Sequence, residues 1–107
     1  MKLITKQQRT QMIKNHEQQD GTKKFDCVVK LFNPLGMGTW YLSELDPKTN
    51  IAYGLCVLHE AEYGYVSLDE LSNTNVGMGL SIERDIMWTA GISLQECLDI
   101  EKNKQTL

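Results

Sequence analysis

Residues 39–58, TWYLSELDPKTNIAYGLCVL, decide the fold, because they predict two β-strands joined by a short loop. The two arms, residues 39–45 and 51–58, are rich in aromatic and aliphatic residues that favour strands. Residues 46–50 between them combine aspartate, proline and asparagine, which is typical of a turn. A loop of this length is common in β-hairpins. The rest of the chain is therefore predicted to pack around this hairpin.

Alternation of side chains along the two arms predicts which residues share a face of the sheet. We take Leu45 and Ile51 as the facing pair beside the loop. One face then carries Trp40, Leu42, Glu44, Ala52, Gly54 and Cys56. The other face carries Tyr41, Ser43, Leu45, Ile51, Tyr53, Leu55 and Val57. Because both sets are mostly apolar, we expect other parts of the chain to cover at least half of each face.

Further strands are predicted on either side of the hairpin. Residues 25–32 form a candidate strand with two valines at its centre. A short strand is expected around residues 64–66, and residues 81–88, SIERDIMW, read as the last strand. With the two arms of the hairpin, these segments predict a small antiparallel sheet of four to five strands.

Three capping-box patterns predict where helices begin. Thr5, Ser67 and Ser93 are each followed three residues later by glutamine or glutamate, whose side chain reaches back to the cap. We expect the first helix to end within the polar stretch at residues 15–24, which continues as a loop. The last helix is expected to give way to a frayed tail at residues 102–107.

Length and composition are those of one ordinary globular domain. The 107 residues are 41% hydrophobic and 23% charged, which excludes a disordered chain. We therefore predict a single α+β domain over residues 1–107, with short helices flanking the sheet. The first residues lack the apolar core of a signal peptide, and no run approaches the ~20 apolar residues of a membrane span. No membrane partner is predicted.

Charge bears on nucleic-acid binding, and cysteine content bears on cellular location. Eleven basic and fourteen acidic residues give a net charge of -3, which does not favour direct nucleic-acid binding, since phosphate contacts need a basic surface. A weaker hypothesis places such a surface at Lys14, Lys23, Lys24 and Lys30. The three cysteines are far apart in apolar runs, which indicates free thiols in a cytoplasmic protein. The cysteines and histidines are not spaced as zinc ligands are, so neither a metal nor a cofactor is predicted.

One arginine lies within the apolar face of the last predicted strand. Alternation over residues 81–88 puts Arg84 on the face that carries two isoleucines and a tryptophan. Desolvating a lone charge is costly, so we predict that Arg84 forms an ion pair with Glu44 and ties two strands together. The alternative is a binding site in which Arg84 holds a phosphate or a carboxylate.

The opposite face of the same strand carries Glu83 and Asp85, about 7 Å apart at the strand repeat. With Glu60, Glu62 or Asp46 they suggest an oxygen-rich metal site, which is the basis of an alternative function: a metal-dependent hydrolase or nucleotide-binding enzyme. A solvated strand face is the simpler interpretation, because no lysine or histidine accompanies them at a telling spacing.

Four tyrosines offer aromatic surface on which a nucleic-acid base could stack. They are Tyr41, Tyr53, Tyr63 and Tyr65. Tyr41 and Tyr53 are more simply explained as neighbours across the hairpin. No catalytic residue is predicted. The candidate binding residues are Arg84, Glu83, Asp85, Glu44, Tyr41 and Tyr53.

Five segments, in one order, resemble a known family. They are residues 30–34, 39–47, 53–55, 62–68 and 79–85. Over nearly its whole length the chain resembles the bacterial family catalogued as domain of unknown function 2958. The resemblance implies a small protein often carried by plasmids, phages or integrated mobile elements, beside genes for DNA transfer or defence evasion. It implies no catalytic residues.

The hypothesis that follows is a non-enzymatic accessory protein of a phage, plasmid or other mobile element. It would act by binding a protein, such as a host defence or DNA-processing factor. The hypothesis rests on the resemblance, the small size, the mild acidity and the missing catalytic motif. An exposed aromatic sheet face would support it, and so would a self-complementary edge, which would also allow a homodimer.

Overall fold

The computed structural model describes residues 2–105. Its elements, in chain order, are α1 (Lys6–Gln18), β1 (Val29–Phe32), β2 (Thr39–Asp46), β3 (Ile51–Val57), β4 (Ala61–Ser67), α2 (Leu68–Ser72), β5 (Asn75–Gly77), β6 (Leu80–Ser81), β7 (Glu83–Arg84) and α3 (Leu94–Gln105). Within the described range, no helix is both long enough and apolar enough to cross a membrane.

Five of the strands form one antiparallel sheet in the order β4-β3-β2-β1-β7. The predicted hairpin is its centre, and β5 and β6 pair separately as a small ribbon. The α+β class and the upper predicted strand number are therefore confirmed. The two edges differ, since β4 has seven residues and β7 only two.

Apolar side chains cover both faces of the sheet. The face under α1 and α2 holds Ile4, Met12, Val29, Leu31, Trp40, Leu42, Leu45, Ala52, Leu68, Leu71 and Ile82. The face under α3 holds Cys27, Tyr41, Leu55, Val57, Cys97 and Leu98. The sheet is thus a middle layer between helices, as the apolar character of both predicted faces indicated.

All three predicted helix starts are confirmed. Thr5 makes a complete capping box with Gln8. The hydroxyl groups of Ser67 and Ser93 accept hydrogen bonds from the backbone three residues later. Each cap satisfies a backbone N–H that has no partner inside its helix.

The first helix ends where predicted, and the last extends further along the chain. α1 ends at Gln18, within the polar stretch at residues 15–24, and its Asn15 is buried against the sheet. α3 continues to Gln105, past residue 102, and its Glu101 is buried against Tyr41. Residues 102–105 of the predicted tail are therefore helical, and residues 106–107 lie outside the described residues.

Strand boundaries also differ from the prediction. β1 begins at Val29 rather than at residue 25, because the segment before it bonds to the chain that precedes α3: the Cys27 N–H donates to Ile92 O at 2.8 Å. Residues 81–88 do not form one strand. After β7 the chain turns, and the side chain of Asp85 accepts a 2.9 Å hydrogen bond from the Met87 N–H. β4 is longer than predicted.

Candidate functional site

A cleft opens on the α3 side of the sheet, near the loop end of the central hairpin. Its volume is about 490 Å³. One wall is the loop at residues 19–26, and the other is the start of α3 with the residues before it. The floor is made by Ser43, Glu44, Tyr53, Tyr63 and Tyr65. With Phe25 and Asp26 of the loop wall, two acidic groups and four aromatic rings therefore line one concave surface.

A β-bulge places Glu44 in this cleft. In the β2–β3 pair, Leu42 is opposite Gly54, but Glu44 is opposite Tyr53, so Ser43 is an extra residue on β2. An extra residue reverses the alternation beyond it. The predicted faces are therefore correct from residue 39 to 42 and wrong beyond the bulge. Glu44 lies on the α3 side, and Leu45, predicted to face Ile51, is opposite Ala52 and packs on the α1 side.

Helix α1 supports the bulge from the other side of the sheet. The side-chain amide of Asn15 donates a buried 2.8 Å hydrogen bond to the carbonyl of Ser43. The amide oxygen of Asn15 in turn accepts a 2.8 Å hydrogen bond from Gln11. Because an irregular ladder frees backbone groups that need partners, this contact stabilises the bulge and with it the position of Glu44.

Glu44 is nearly buried, with 7% of its surface exposed. Its Oε2 accepts a 3.0 Å hydrogen bond from the side-chain amide of Gln19. Within residues 2–105, no lysine, arginine or histidine nitrogen lies within 4.0 Å of its oxygens. Gln19 also bonds to the backbone of Gly21 and Lys23. The same amide thus organises the loop wall and holds the carboxylate.

The three tyrosines of the floor lie side by side on β3 and β4. The ring centroids of Tyr53 and Tyr65 are 5.1 Å apart, with their planes tilted by 58°. Burial, followed by the charge of Glu44, raises the pKa of Tyr53. Burial, followed by the charge of Asp99, raises the pKa of Tyr63. Both phenols are therefore neutral at neutral pH and present uncharged aromatic surface.

The family described as "Protein of unknown function (DUF2958)" matches residues 3–107, nearly the whole chain. The chain belongs to this family. No curated protein and no solved structure matches it. Since the description of DUF2958 names no activity, the function must be argued from the site.

The predicted ion pair between Arg84 and Glu44 is wrong in this DUF2958 chain. Arg84 is opposite Leu31, on the α1 side of the sheet, and its guanidinium donates a 2.8 Å hydrogen bond to the carbonyl of Lys2. Glu44 lies on the opposite side because of the bulge at Ser43. Arg84 therefore anchors the N-terminal segment and takes no part in the cleft.

Glu83 and Asp85 lie on either side of Arg84 at the end of β7. Glu83 is opposite Phe32 in the sheet, and the Asp85 N–H donates a 2.9 Å hydrogen bond to Lys30 O. Oδ2 of Asp85 is 3.5 Å from the ammonium of Lys30. Among residues 2–105, no group of three histidine, cysteine, aspartate or glutamate side chains is placed to hold a metal ion.

The tyrosines divide between the core and the cleft. Tyr41 is buried, packs edge-on against Trp88 and donates a 2.6 Å hydrogen bond to Glu101. It is opposite Leu55, two residues along β3 from Tyr53, and it belongs to the buried cluster under α3. Of the candidate binding residues, the cleft therefore contains only Glu44 and Tyr53.

The sequence reasoning missed the walls of the cleft. Gln19, Lys23 and Lys24 lie in a polar loop with no periodic pattern, and no local signal brings them to the sheet. Tyr63 and Tyr65, by contrast, alternate on β4. That spacing could have assigned both rings to one face.

Proposed function

We propose that this DUF2958 protein is a non-enzymatic accessory protein that acts by binding a protein partner. The partner supplies an extended segment that pairs with the open edge of β4. The observation that supports this most directly is the edge itself: β4 pairs with β3 along its whole length and ends the sheet. One row of its backbone N–H and C=O groups is thus available to another chain.

The residues of β4 do little to protect this edge. Sheet edges are commonly blunted by lysine, proline or a bulge. The strand AEYGYVS contains neither lysine nor proline, and its register with β3 is unbroken from Ala61 to Ser67. Tyr65 is 75% exposed and Tyr63 is 45% exposed. A long, flat edge with exposed aromatic rings is typical of a protein-binding surface.

Cavities beside β4 would provide specificity. The cleft floored by Tyr53, Tyr63 and Tyr65, here called the tyrosine cleft, borders the middle of the strand. A second cavity of about 410 Å³ borders its start and is lined by Cys56, Leu58, His59, Glu60, Glu62, Tyr63, Gly64 and Tyr65. When a strand is added to a sheet edge, main-chain bonds supply affinity and pockets for alternate side chains supply selectivity.

Two parts of this proposal rest on the sequence. The role in a phage, plasmid or other mobile element, against a host defence or DNA-processing factor, follows from the family resemblance. The cytoplasmic location follows from the three cysteines, which are free thiols in the structure.

Gly64 offers a direct test of the edge. An added Cβ at Gly64 meets no atom within 4 Å, so both Gly64→Lys and the control Gly64→Ala are expected to fold. A lysine on an edge strand opposes strand addition. We expect a partner captured from the native host to bind the wild type and Gly64→Ala but not Gly64→Lys. We also expect it to protect the outer amides of β4 from hydrogen exchange.

The proposal fails if Gly64→Lys binds the captured partner as well as the wild type does, or if β4 amides gain no protection. Light scattering over a concentration series separates a second copy of the chain from a different protein. A dimer that Gly64→Lys dissociates would assign the edge to self-association and contradict a separate partner.

The enzymatic alternative, which uses Glu83 and Asp85, has less support, because Asp85 is paired with Lys30 and, in the part of the chain that the structure describes, no third acidic group completes a metal site with them. Calorimetric titration with magnesium, manganese and nucleotides tests it; binding heat that Glu83→Gln removes would favour it.

Direct nucleic-acid binding has less support too. Lys14 lies on α1, across the sheet from Lys30. The lysines expected to form a basic patch therefore do not share one surface. A gel shift at low salt would reveal such binding.

A further inference from the structure

We infer that the tyrosine cleft binds a guanidinium group, carried by an arginine side chain of the protein partner, with Glu44 as its counter-ion. This inference rests on the proposed function and adds the chemistry of the partner residue. It is carried by an unpaired buried carboxylate, by the aromatic rings around it and by the size of the cavity.

The first support is the unmatched charge of Glu44. A buried charge is costly unless it is paired with an opposite charge or fully hydrogen-bonded. The other buried acid of the described chain, Glu101, has both Tyr41 and the ammonium of Lys104, 3.3 Å away. Among residues 2–105, Glu44 has only the neutral amide of Gln19 as a polar side-chain partner. A cation from outside the chain would complete its environment.

The second support is the aromatic floor beside this carboxylate. Tyr53 is directly opposite Glu44, and Tyr65 is directly opposite Tyr53 on the next strand. Tyrosine rings attract cations that lie over their faces within about 6 Å. The chain already uses this contact elsewhere, since the Lys30 ammonium lies 5.4 Å from the ring centroid of Tyr41.

The combination of a carboxylate and adjacent aromatic rings favours guanidinium over ammonium. Guanidinium is planar, stacks on aromatic faces and binds a carboxylate through two parallel N–H groups. An ammonium group is more strongly hydrated, so it loses more hydration energy when it reaches the nearly buried Glu44. The cavity of about 490 Å³ lies in the range of small-ligand pockets and accommodates one such side chain.

The rim of the cleft restricts the charge of the residues next to the bound arginine in the partner. Lys23 and Lys24 are exposed on the loop wall. Their charges oppose a second basic residue beside the bound one. The partner segment is therefore expected to carry a single arginine among neutral or acidic residues rather than a polybasic run.

A small probe tests the cleft without the partner. N-acetyl-arginine methylamide carries the guanidinium on an uncharged backbone, and N-acetyl-citrulline methylamide is its neutral isostere. In a ¹⁵N NMR titration we expect the arginine probe to shift the amide signals of Glu44, Tyr53 and Tyr65 saturably, and the citrulline probe to leave them unchanged. The lysine analogue is expected to bind more weakly.

Two variants assign the binding to named groups. Glu44→Gln keeps the shape and the Gln19 contact, and we expect it to weaken the arginine probe by about tenfold or more, as for loss of a charge-assisted pair. Tyr65→Leu removes an exposed ring and is expected to weaken the probe severalfold without loss of the fold. It remains informative if Glu44→Gln does not fold.

The inference is overturned if the citrulline probe binds as well as the arginine probe, if the lysine analogue binds equally, or if neither variant changes the titration. The probe is too short to pair along β4, so Gly64→Lys is expected to leave its binding unchanged. If the arginine probe does not bind but Gly64→Lys still abolishes partner capture, the guanidinium site is rejected and strand addition at β4 is not. If the arginine probe binds but Gly64→Lys does not affect partner capture, strand addition is rejected and the guanidinium site is not.

Discussion

Glu44 lies directly opposite Tyr53 in the central hairpin, although regular alternation of the two strands would place them on different faces of the sheet. The extra residue Ser43 causes this, and Asn15 of α1 holds its carbonyl. One irregular position therefore moves a carboxylate from the helix-covered core to the floor of the cleft. The stability of the central hairpin and the chemistry of the cleft depend on the same few residues.

The strands pack so closely beside the bulge that Gly54 is required. A Cβ at Gly54 would collide with the carbonyl of Tyr41 and lie 2.8 Å from the Cα of Leu42, both of them backbone. We expect Gly54→Ala to lower the free energy of unfolding by about 3 kcal/mol. Gly64, paired with Gly54 on the next strand, has free space. Gly64→Ala is therefore the matched control and should change stability by less than about 0.5 kcal/mol in urea unfolding. Equal losses in both variants would contradict this packing.

The hydrogen bond between Tyr41 and Glu101 ties α3 to the sheet. Tyr41→Phe keeps the ring but leaves the buried carboxylate without its 2.6 Å donor. We expect the unfolding free energy to fall by about 2 kcal/mol, as for a hydrogen bond to a charged group. Tyr65→Phe, at a side chain that is 75% exposed, should have almost no effect. Urea unfolding measures the unfolding free energy of both variants. If Tyr41→Phe leaves that free energy unchanged, the hydrogen bond adds no stability.

Burial, and then the hydrogen bond to Glu101, raises the pKa of Tyr41 above its ordinary value of 10.0. The folded state therefore holds this proton at pH values where the unfolded chain has lost it. The stabilisation of the folded state by protonated Tyr41 is complete below about pH 10 and is lost as the pH rises further. Above pH 10 we expect the wild type to lose about 1.4 kcal/mol of unfolding free energy per pH unit more than Tyr41→Phe. Urea unfolding between pH 8 and 11 measures this; parallel curves would contradict it.

The three cysteines should differ sharply in reactivity. Cys27 and Cys97 are 1% and 0% exposed, whereas Cys56 is partly exposed at the sheet surface. Burial, and then the charge of Glu62, raises the pKa of Cys56, so its reaction should accelerate as the pH rises. We expect a thiol reagent to modify one cysteine in the folded protein and three in urea. Cys56→Ser should remove the reaction of the folded state; rapid reaction of all three thiols without denaturant would refute the burial of the other two.

Local patterns in the sequence determined the central hairpin and the starts of the helices. The turn chemistry of residues 46–50 and the capping box at Thr5 involve neighbours in the chain, so their signals are complete within a few residues. The free thiols, the α+β class and the five strands of the main sheet followed from composition and from these local signals, whereas the β5–β6 ribbon was not predicted.

Only the tertiary structure decided which face each charged residue occupies. The bulge at Ser43 depends on Asn15, 28 residues earlier, and the cleft wall depends on Gln19 meeting Glu44, 25 residues later. Arg84 bonds to the carbonyl of Lys2, 82 residues away. Alternation carries face assignments along a strand only while the ladder is regular. One inserted residue, stabilised by a distant side chain, reverses them, and such a contact exists only once the chain has folded.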